Sequence, residues 1–434
     1  MSLTPEQQEL GRRNFMRALA GTPARAALGA AVAAKGPVRG GPVRVGCIGV
    51  GGEGRLLVEQ TDPRYAQVVA LCDINPAQLQ KAQESLQKTG RPAVPQYSDW
   101  KEMIQKEKLE AVILAPPLFM HAELAVGCLD AGLHVLCEKM MAFDDTSCRR
   151  MVEAQRRSGK VLEIGHQRYY NPIYQAAYEG IVKAGTLGEL YHARLVWHRN
   201  GNWRRKTELP SPDYSPARWG YPTMDHLINW RLYNQYSRGH MAELASHMVA
   251  ICDWFFGADA LSAIGSGGVY RYKDGREVPD HTFATIEYPG GRTAVFTSIE
   301  SNAFEHYYEA YYGTSGTLIL RGETEAYLFD EGQKPGEAKP TAVEVTPKTA
   351  GPAAAASESR TADAAGKSAG GGASSAGADR LAAYKYEIDG FCSAIRTGTP
   401  LKCGPERAMA SANACIAAFV AIQTKQRVAV PKSA

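Results

Sequence analysis

The sequence predicts an α/β fold in two parts, a doubly wound parallel sheet followed by an α+β domain with an open, mostly antiparallel sheet. Two observations carry this prediction. Short apolar runs alternate with helical segments of about ten residues through the first part, which is typical of parallel strands covered by helices on both faces. Beyond residue 165 the apolar runs instead follow one another directly, which is typical of hairpins.

The first part, predicted to span residues 41–165, repeats a strand–helix unit. Five apolar runs bounded by turn residues are the predicted strands: VRVGCIG, AQVVALCD, LEAVILAPP, LHVLCEK and KVLEIG. The segment after the second run, PAQLQKAQESLQK, begins with Pro76 at a position suited to the first turn of a helix. A sheet built this way has its ligand-binding edge at the carboxyl ends of the strands.

A glycine-rich turn joins the first strand to the first helix. In Gly49-x-Gly51-x-x-Gly54, the first glycine suits a tight turn, the second lets a pyrophosphate approach the backbone, and the third allows close helix–strand packing. Asp73 ends the second strand, where a carboxylate can accept a hydrogen bond from a ribose 2′-hydroxyl. The pattern predicts a Rossmann domain that binds NAD, and it disfavours NADP because a 2′-phosphate would face a carboxylate.

The second part, predicted to span residues 166–335, contains a hairpin around Pro289-Gly290-Gly291 and further strands. Residues 336–380 are rich in Ala, Gly, Ser and Pro with almost no large apolar residue, so we expect a disordered insert there. Residues 381–434 return to apolar helical patterns. We expect these C-terminal helices to pack back on the body of the protein.

The chain resembles the Gfo/Idh/MocA oxidoreductases in the stretch VILAPPLFMHAELAVGCLDAGLHVLCEKM. Pro117 and His121 match the family's TPxxxH turn, with Pro116 where Thr is usual, and Glu138-Lys139 match its EKP motif, with Met140 in place of Pro. GHQRYYNP, IVKAGTLGEL, AELASHMVAICDWFFG and FCSAIRTGTPL extend the similarity from about residue 43 to 425, apart from the insert.

The resemblance implies a nicotinamide held at the end of the sheet, with Lys139 near the reacting carbinol. It also implies that Glu243 and His247 hold the positions of the family's Asp and His. A spacing of four places both on one helical face, where a carboxylate can orient an imidazole that takes the hydroxyl proton. The predicted catalytic residues are Lys139, His247 and Glu243. The predicted cofactor-binding residues are Gly49, Gly51, Gly52, Glu53, Gly54, Asp73, Pro117, His121, Glu138, Lys139 and Gln167.

Other interpretations of these residues stay open from the sequence. Lys139 could end a strand in a salt bridge, and His247 could be a core histidine. His240, Glu243 and His247 fall at helical spacing but match no recognised zinc pattern, so we predict no metal. The aromatic run FEHYYEAYYG is either sheet or, with the four residues that follow here, part of a sugar site: His198, Trp203, Arg204 and Tyr233.

The first forty residues resemble a bacterial twin-arginine export leader, with Arg12-Arg13 ahead of a mild Ala/Gly/Leu-rich stretch. We therefore expect a periplasmic or otherwise exported protein with a disordered or cleaved leader, and a cytoplasmic one if the leader is no signal. Residues 1–44 hold seven Lys/Arg against two Glu, a net +5, so the remainder carries about −1 of the chain's +4. A nucleic-acid partner is not predicted. No apolar run predicts a membrane-spanning helix.

An exported enzyme meets no free NAD pool, so its cofactor has to stay bound and be regenerated within the cycle. One scheme is a carbohydrate or polyol oxidoreductase reoxidised by a second carbonyl compound. The other is a redox-neutral glycoside hydrolase that oxidises, eliminates, hydrates and re-reduces, as the family resemblance implies. A non-catalytic sugar-binding protein is the alternative of another class. By analogy with open sheets that pair across their free face, we expect a homo-oligomer, a dimer or higher.

Overall fold

The computed structural model describes residues 3–20, 40–207, 209–211, 213–331 and 375–433, with the backbone alone described for 375–380. The first element is helix α1 (Pro5–Ala18). Thr4 caps it, since its hydroxyl accepts from the N–H of Gln7 while the Gln7 side chain accepts from the N–H of Thr4.

The first sheet confirms the predicted parallel architecture. Its strands are β1 (Val43–Ile48), β2 (Ala66–Cys72), β3 (Gln96–Tyr97), β4 (Ala111–Leu114), β5 (His134–Glu138) and β6 (Leu162–Gly165). They lie parallel in the order β3-β2-β1-β4-β5-β6, the arrangement of a Rossmann fold. The strand order reverses direction beside β1, so the carboxyl ends of β1 and β4 border the crevice where such sheets bind ligands.

Helices cover both faces of this sheet. They are α2 (Gly52–Gln60), α3 (Pro76–Lys88), α4 (Trp100–Lys106), α5 (His121–Asp130) and α6 (Asp145–Ser158). Pro76 stands at the first position of α3, as predicted, behind an Asn75 side chain that accepts from the N–H of Ala77. A short 3₁₀ turn (Leu118–Met120) precedes α5.

The second sheet is mostly antiparallel, as predicted. Its strands are β7 (Leu190–His198), β8 (Ser262–Gly268), β9 (His281–Glu287), β10 (Thr293–Ile299), β11 (Tyr307–Gly313), β12 (Gly316–Arg321), β13 (Glu325–Asp330) and β14 (Val428–Ala429). Their order is β13-β12-β11-β7-β10-β9-β8-β14, and the predicted hairpin is β9–β10. The β7–β10 pair is parallel, because β7 is inserted between β10 and β11 rather than joined to either by a hairpin.

The remaining helices pack between the sheets and around the first one. They are α7 (Pro172–Ala177), α8 (Met224–Ile228), α9 (Ser246–Phe256), α10 (Ser375–Thr397) and α11 (Pro405–Thr424). A π-helical turn follows α7 (Tyr178–Val182) and another leads into α9 (Met241–Ala245). Further 3₁₀ turns lie at Gln167–Tyr170, Pro216–Trp219, Trp230–Leu232 and Pro289–Gly291. The C-terminal helices do pack on the body: α10 contacts α2, and α11 contacts α6, α9 and β8.

Residues 5–18 are helical and packed, so the expectation of disorder is wrong for this part of the leader. Helix α1 lies across β13, where a Cβ at Gly11 would come within 2.8 Å of the Cβ of Tyr327. Phe15 is 4% exposed in the core, and Arg12 pairs with Glu325. The reason is long-range packing, which a leader's composition does not reveal. Residues 21–39, and 332–374 of the predicted insert, lie outside the described residues.

Candidate active site

A cleft of about 780 Å³ lies along the carboxyl ends of the first sheet, and residues of the second domain form its other wall. Its volume is within the range of small-molecule and cofactor sites. Most of the predicted site residues line it: Gly49, Gly51, Gly52, Glu53, Asp73, Pro117, His121, Glu138, Lys139, Glu243 and His247. The structure therefore brings the predicted cofactor and catalytic sets into one continuous space.

The three glycines of the loop have distinct structural roles. Gly49 turns the chain at φ +80°, and a Cβ there would lie 2.6 Å from the backbone N of Pro116. A Cβ at Gly54 would lie 1.8 Å from the carbonyl oxygen of Gly49, so this residue lets α2 meet the loop and is itself buried beneath it. At Gly51, the residue before α2, no atom lies within 4 Å of the Cβ position. The loop thus leaves open space at the helix N-terminus, where N–H groups and the helix dipole favour a phosphate.

Asp73 is hydrogen-bonded to this loop and lines the same cleft. Its two carboxylate oxygens accept from the N–H groups of Val50 and Asn75, each at 2.8 Å. Burial raises the pKa of Asp73 to about 6, and the two N–H bonds oppose that rise. Each oxygen keeps a further acceptor position, so the carboxylate fits a ribose hydroxyl. These features of the loop and of Asp73 fit a dinucleotide.

His121 holds the loops after β4 and β5 together. Its Nδ1 lies 2.9 Å from the carbonyl oxygen of Met140, and its Nε2 lies 3.1 Å from that of Pro116. The ring is 2% exposed and burial lowers its pKa; in the neutral imidazole that this favours, one of the two nitrogens carries the proton and donates to its carbonyl. This buried bridge fixes the turn that follows Lys139, whose peptide bond to Met140 is cis.

Glu138 is the last residue of β5, and Lys139 directly follows it. Burial, followed by the charge of Glu53, raises the pKa of Glu138 well above its ordinary value, so the protonated acid is favoured. Lys139 is half-buried and extends into the cleft, where its Nζ donates to the backbone carbonyl of Glu243 at 3.0 Å. The Lys139 ammonium is therefore fixed across the cleft from the first domain to the second.

The Glu243 carboxylate faces Arg231. Arg231 Nε donates to Glu243 Oε2 at 2.7 Å, and the guanidinium lies 4.4 Å from the ring centroid of Trp230. Burial alone would raise the pKa of Glu243, but the charges of Arg231 and Lys139 outweigh it, and the pKa lies below its ordinary value. Glu243 thus anchors two cations, one through its carboxylate and one through its carbonyl.

His247 is the second residue of α9, the helix that follows the π-helical turn. The ring is 2% exposed, lies 5.7 Å from the ring of Trp197 and lines the cleft. His240 lies at helical spacing from His247 in the sequence but contacts other residues. Its Nδ1 is 2.9 Å from Thr282 Oγ1, and its Nε2 is 3.0 Å from the Glu300 carboxylate. The three residues at helical spacing therefore do not converge. Over the described ranges, no group of three or more His, Cys, Asp or Glu is arranged to hold a metal ion.

Other predicted positions lie away from the cleft. Gln167 is 1% exposed at the start of the turn after β6, and it is not among the lining residues. Trp203 packs under Arg199, with 4.1 Å from the guanidinium to the ring centroid, and Tyr233 pairs with Asp225. Residues 307–313 of the aromatic run form strand β11, and a role of this strand in sugar binding stays a prediction.

Apart from Glu243 and His247, the sequence did not identify the residues of the second domain that line the cleft. These residues are Arg205, Lys206, Leu209, Pro210, Trp219, Tyr221, Leu227, Ile228, Trp230 and Arg231. They come from the connection between β7 and α9, which carries no recognised motif. The excess of Arg and Trp in that connection was the available signal.

Two family models match the chain. The model described as "Oxidoreductase family, NAD-binding Rossmann fold" matches residues 43–166, and the model for the GFO/IDH/MocA C-terminal domain matches residues 175–319. The chain belongs to the Gfo/Idh/MocA oxidoreductase family. The resemblance seen in the sequence is thereby confirmed, and the first domain is the NAD-binding Rossmann domain of that family.

Among curated relatives, inositol 2-dehydrogenase of Salmonella typhimurium is 29% identical over 202 residues, 45% of this chain and 56% of that protein. A glycosyl hydrolase family 109 protein of Stenotrophomonas maltophilia is 31% identical over 225 residues, 47% of this chain and 49% of that protein. The matched region thus spans about half the length of these relatives.

Among solved structures, the WlbA dehydrogenase of Bordetella pertussis in complex with NADH and UDP-GlcNAcA has a TM-score of 0.63 at 18% identity. The likeness covers 90% of this chain and 99% of that one. It shows that the fold is shared along almost the whole of both chains. Among the described helices, none is both long and apolar enough to cross a bilayer.

Proposed function

We propose that this protein oxidises a hydroxyl group of a sugar or polyol with NAD bound in the cleft. The observation that carries the proposal is the convergence of the glycine loop, Lys139, the Arg231–Glu243 pair and His247 on one space. The relative named inositol 2-dehydrogenase supports a polyol or sugar as the substrate class.

The bound dinucleotide would supply a hydride acceptor for the carbinol carbon. His247, buried in the cleft wall, is placed to take the hydroxyl proton, since a neutral imidazole is an effective base near neutral pH. Lys139, held at its Nζ by the Glu243 carbonyl, stabilises the developing alkoxide. The Arg231–Glu243 pair positions this backbone through the carboxylate.

NAD rather than NADP is the second element of the proposal. The Asp73 carboxylate lines the cleft near the glycine loop, and a carboxylate that binds the ribose would repel a 2′-phosphate. The test measures dissociation constants of both dinucleotides for the wild type and for Asp73→Ser, with Glu123→Gln as the control because it removes another carboxylate that lines the cleft. Asp73→Ser is expected to lose most of the preference for NAD; an unchanged preference would contradict the assignment.

A redox-neutral glycoside hydrolase is the second candidate, favoured by the match to a glycosyl hydrolase family 109 protein. In this scheme oxidation of a ring hydroxyl acidifies the neighbouring C–H, the glycosidic substituent is eliminated, water adds, and hydride returns to the ring. Solvent deuterium then enters the product at the neighbouring carbon, which direct hydrolysis does not cause.

Both candidates are tested together by incubating the protein with p-nitrophenyl glycosides, free sugars and polyols. Net NADH formation from a free sugar or polyol supports the oxidoreductase. Release of p-nitrophenol with deuterium incorporation and no net NADH supports the redox-neutral hydrolase. Lys139→Ala is expected to lower either rate by about 10²-fold or more. Unchanged activity in this variant would refute the site assignment, and binding without any turnover would support a non-catalytic sugar-binding protein.

Export through a twin-arginine pathway and assembly into a homo-oligomer stay predictions. Export would require the cofactor to remain bound between turnovers, since no free NAD would be available to replace it. Fractionation of cells that produce the full chain, with the N-terminus of the product sequenced, tests both export and cleavage of the leader.

A further inference from the structure

A stretch of the second domain between β7 and α8, described at residues 203–207, 209–211 and 213–221, contributes several residues to the wall of the cleft. We call it the strap; residues 208 and 212 lie outside the described part of the chain. The strap residues that line the cleft are Arg205, Lys206, Leu209, Pro210, Trp219 and Tyr221. The strap thus faces the glycine loop and Asp73 from the opposite side.

The beginning of the strap is anchored to its own domain. Arg204 Nη1 donates to both carboxylate oxygens of Asp225, at 2.6 and 2.8 Å. The backbone of Arg205 pairs twice with the Asn229 side chain: its N–H donates to Oδ1 at 2.7 Å, and its carbonyl accepts from Nδ2 at 3.0 Å. The backbone at Arg205 is therefore fixed, and its side chain extends from a fixed point.

The end of the strap is anchored to the first domain by aromatic packing. The ring of Tyr221 lies edge-on to Phe119, which follows β4, with 6.0 Å between centroids. Tyr236 lies 5.0 Å from Phe119 and 5.2 Å from Tyr221, which completes a three-ring cluster. Tyr221 is 3% exposed, so this end is part of the interior.

The middle of the strap is hydrogen-bonded to the first domain at Tyr214. Tyr214 Oη donates to the backbone carbonyl of Ile74 at 3.1 Å. Ile74 directly follows Asp73, so this contact closes the strap over the ribose end of the cleft. Burial, with a contribution from the Asp73 charge, raises the pKa of Tyr214 to about 12, and the phenol remains a donor at neutral pH.

Arg205 places a positive charge in the cleft that the glycine loop also lines. Its guanidinium is within electrostatic reach of Arg55 and Glu53 on the glycine-loop side and of Arg231 and Glu243 on the other. Burial, and then the charge of Arg231, lower the pKa of Arg205 to about 9. Cations crowded in this way are stabilised by an anion between them. The glycine loop opposite is shaped for a pyrophosphate.

We propose that the strap encloses the bound dinucleotide, with the Tyr214–Ile74 hydrogen bond as its latch and Arg205 as a second, cationic contact to the pyrophosphate. The inference rests on the proposed binding of NAD in the cleft. It assigns Tyr214 and Arg205 to retention of the cofactor, so that release requires the strap to lift from the first domain. Such a device suits an enzyme that regenerates its cofactor without exchanging it.

The test measures the rate at which the full-length protein, loaded with radiolabelled NAD, loses label to an excess of unlabelled NAD. The variants are Tyr214→Phe, Arg205→Met and Arg205→Lys. Tyr191→Phe is the matched control, because Tyr191 is 52% exposed on β7, away from the cleft. Tyr214→Phe removes one neutral hydrogen bond and is expected to speed release about fivefold. Arg205→Met is expected to speed it more and to weaken its dependence on salt, and Arg205→Lys to restore part of the difference.

Trypsin supplies a readout on the wild type that needs no variant. NAD is expected to protect the bonds after Arg205 and Lys206 at least tenfold, as measured by mass spectrometry of the fragments. Release from Tyr214→Phe and Arg205→Met at the wild-type rate, or cleavage of the strap unaffected by NAD, would overturn the strap while leaving NAD binding intact. A wild type that binds no labelled NAD would overturn the proposed function and the strap together.

Discussion

Substitution by alanine should mainly lower the free energy of unfolding at Gly54 and mainly lower the affinity for NAD at Gly51. At Gly54 the Cβ of an alanine would lie 1.8 Å from the carbonyl oxygen of Gly49, where real Cβ contacts essentially never fall below 3.0 Å. The backbone would therefore have to move by at least 1.2 Å, the difference of those distances. At Gly51 no atom lies within 4 Å of the Cβ position, and the methyl group would enter the cleft.

The magnitudes follow from these distances. Overpacking a rigid interior costs about 1–3 kcal/mol, and since the clash at Gly54 is with backbone, we expect Gly54→Ala to lower the free energy of unfolding by about 3 kcal/mol or more. Gly51→Ala places Ala at the residue that caps α2, which costs at most about 1 kcal/mol. Its methyl group occupies the space expected for the pyrophosphate, so NAD affinity should fall tenfold or more, about 1.4 kcal/mol.

The assay pairs urea unfolding with calorimetric titration of NAD. Gly404→Ala is the matched control, since Gly404 also precedes a helix, also has no atom within 4 Å of its Cβ position, and lies outside the cleft lining. We expect Gly404→Ala to bind NAD as the wild type does. A Gly51→Ala variant with unchanged NAD affinity, or a Gly54→Ala variant with unchanged stability, would refute the assignment of the loop.

Three further predictions concern the cleft wall, the ribose carboxylate and the N-terminal helix. Arg231→Met should leave the Glu243 carboxylate without its buried partner and so raise the pKa of Glu243. The acid limb of the pH–rate profile should then move to higher pH, and Arg231→Lys should restore part of the shift. Identical profiles would show that this pair has no role in turnover. NAD affinity of the wild type should fall as the pH drops through about 6, because burial raises the pKa of Asp73 to about 6 and the ribose bond needs the carboxylate. Titrations on either side of that pH should show no such dependence for Asp73→Asn, and a persisting one would assign it to another group. In urea unfolding, Phe15→Ala should lower the free energy of unfolding by about 3 kcal/mol. The control Met16→Ala, at a side chain that is 47% exposed, should change it by less than about 0.5 kcal/mol. Equal effects of the two substitutions would mean that α1 is not docked.

The first sheet could be predicted because its information is local. Each parallel strand is a buried apolar run bounded by turn residues, and Gly49 and Gly54 are required by the backbone itself. The loop and Asp73 therefore came together as the motif implies. The same local reasoning placed Lys139 at a strand end that faces the cleft.

Contacts between distant residues could not be predicted. No spacing rule links Tyr214 to Ile74 or Lys139 to the carbonyl of Glu243, because these contacts exist only once the two domains meet. The packing of α1 on β13 joins residues more than three hundred positions apart, and the leader's composition indicated export rather than packing.

The assumption of regular α-helical geometry was wrong at Glu243. The spacing of four between Glu243 and His247 assumed an α-helix, but Glu243 lies in a π-helical turn and its carboxylate is bonded to Arg231. The sequence carried no signal for that turn. Glu243 therefore has a definite partner that spacing alone did not indicate.

The most direct test of the central claim is the nucleotide content of the protein purified without added cofactor. The full chain is denatured, and the released NAD and NADH are measured against the protein concentration, with NADP measured in parallel. We expect close to one NAD(H) per chain and little NADP, with the apoprotein regaining NAD saturably if any has been lost. Protein that carries no nucleotide and binds none in titration would contradict the assignment of the cleft.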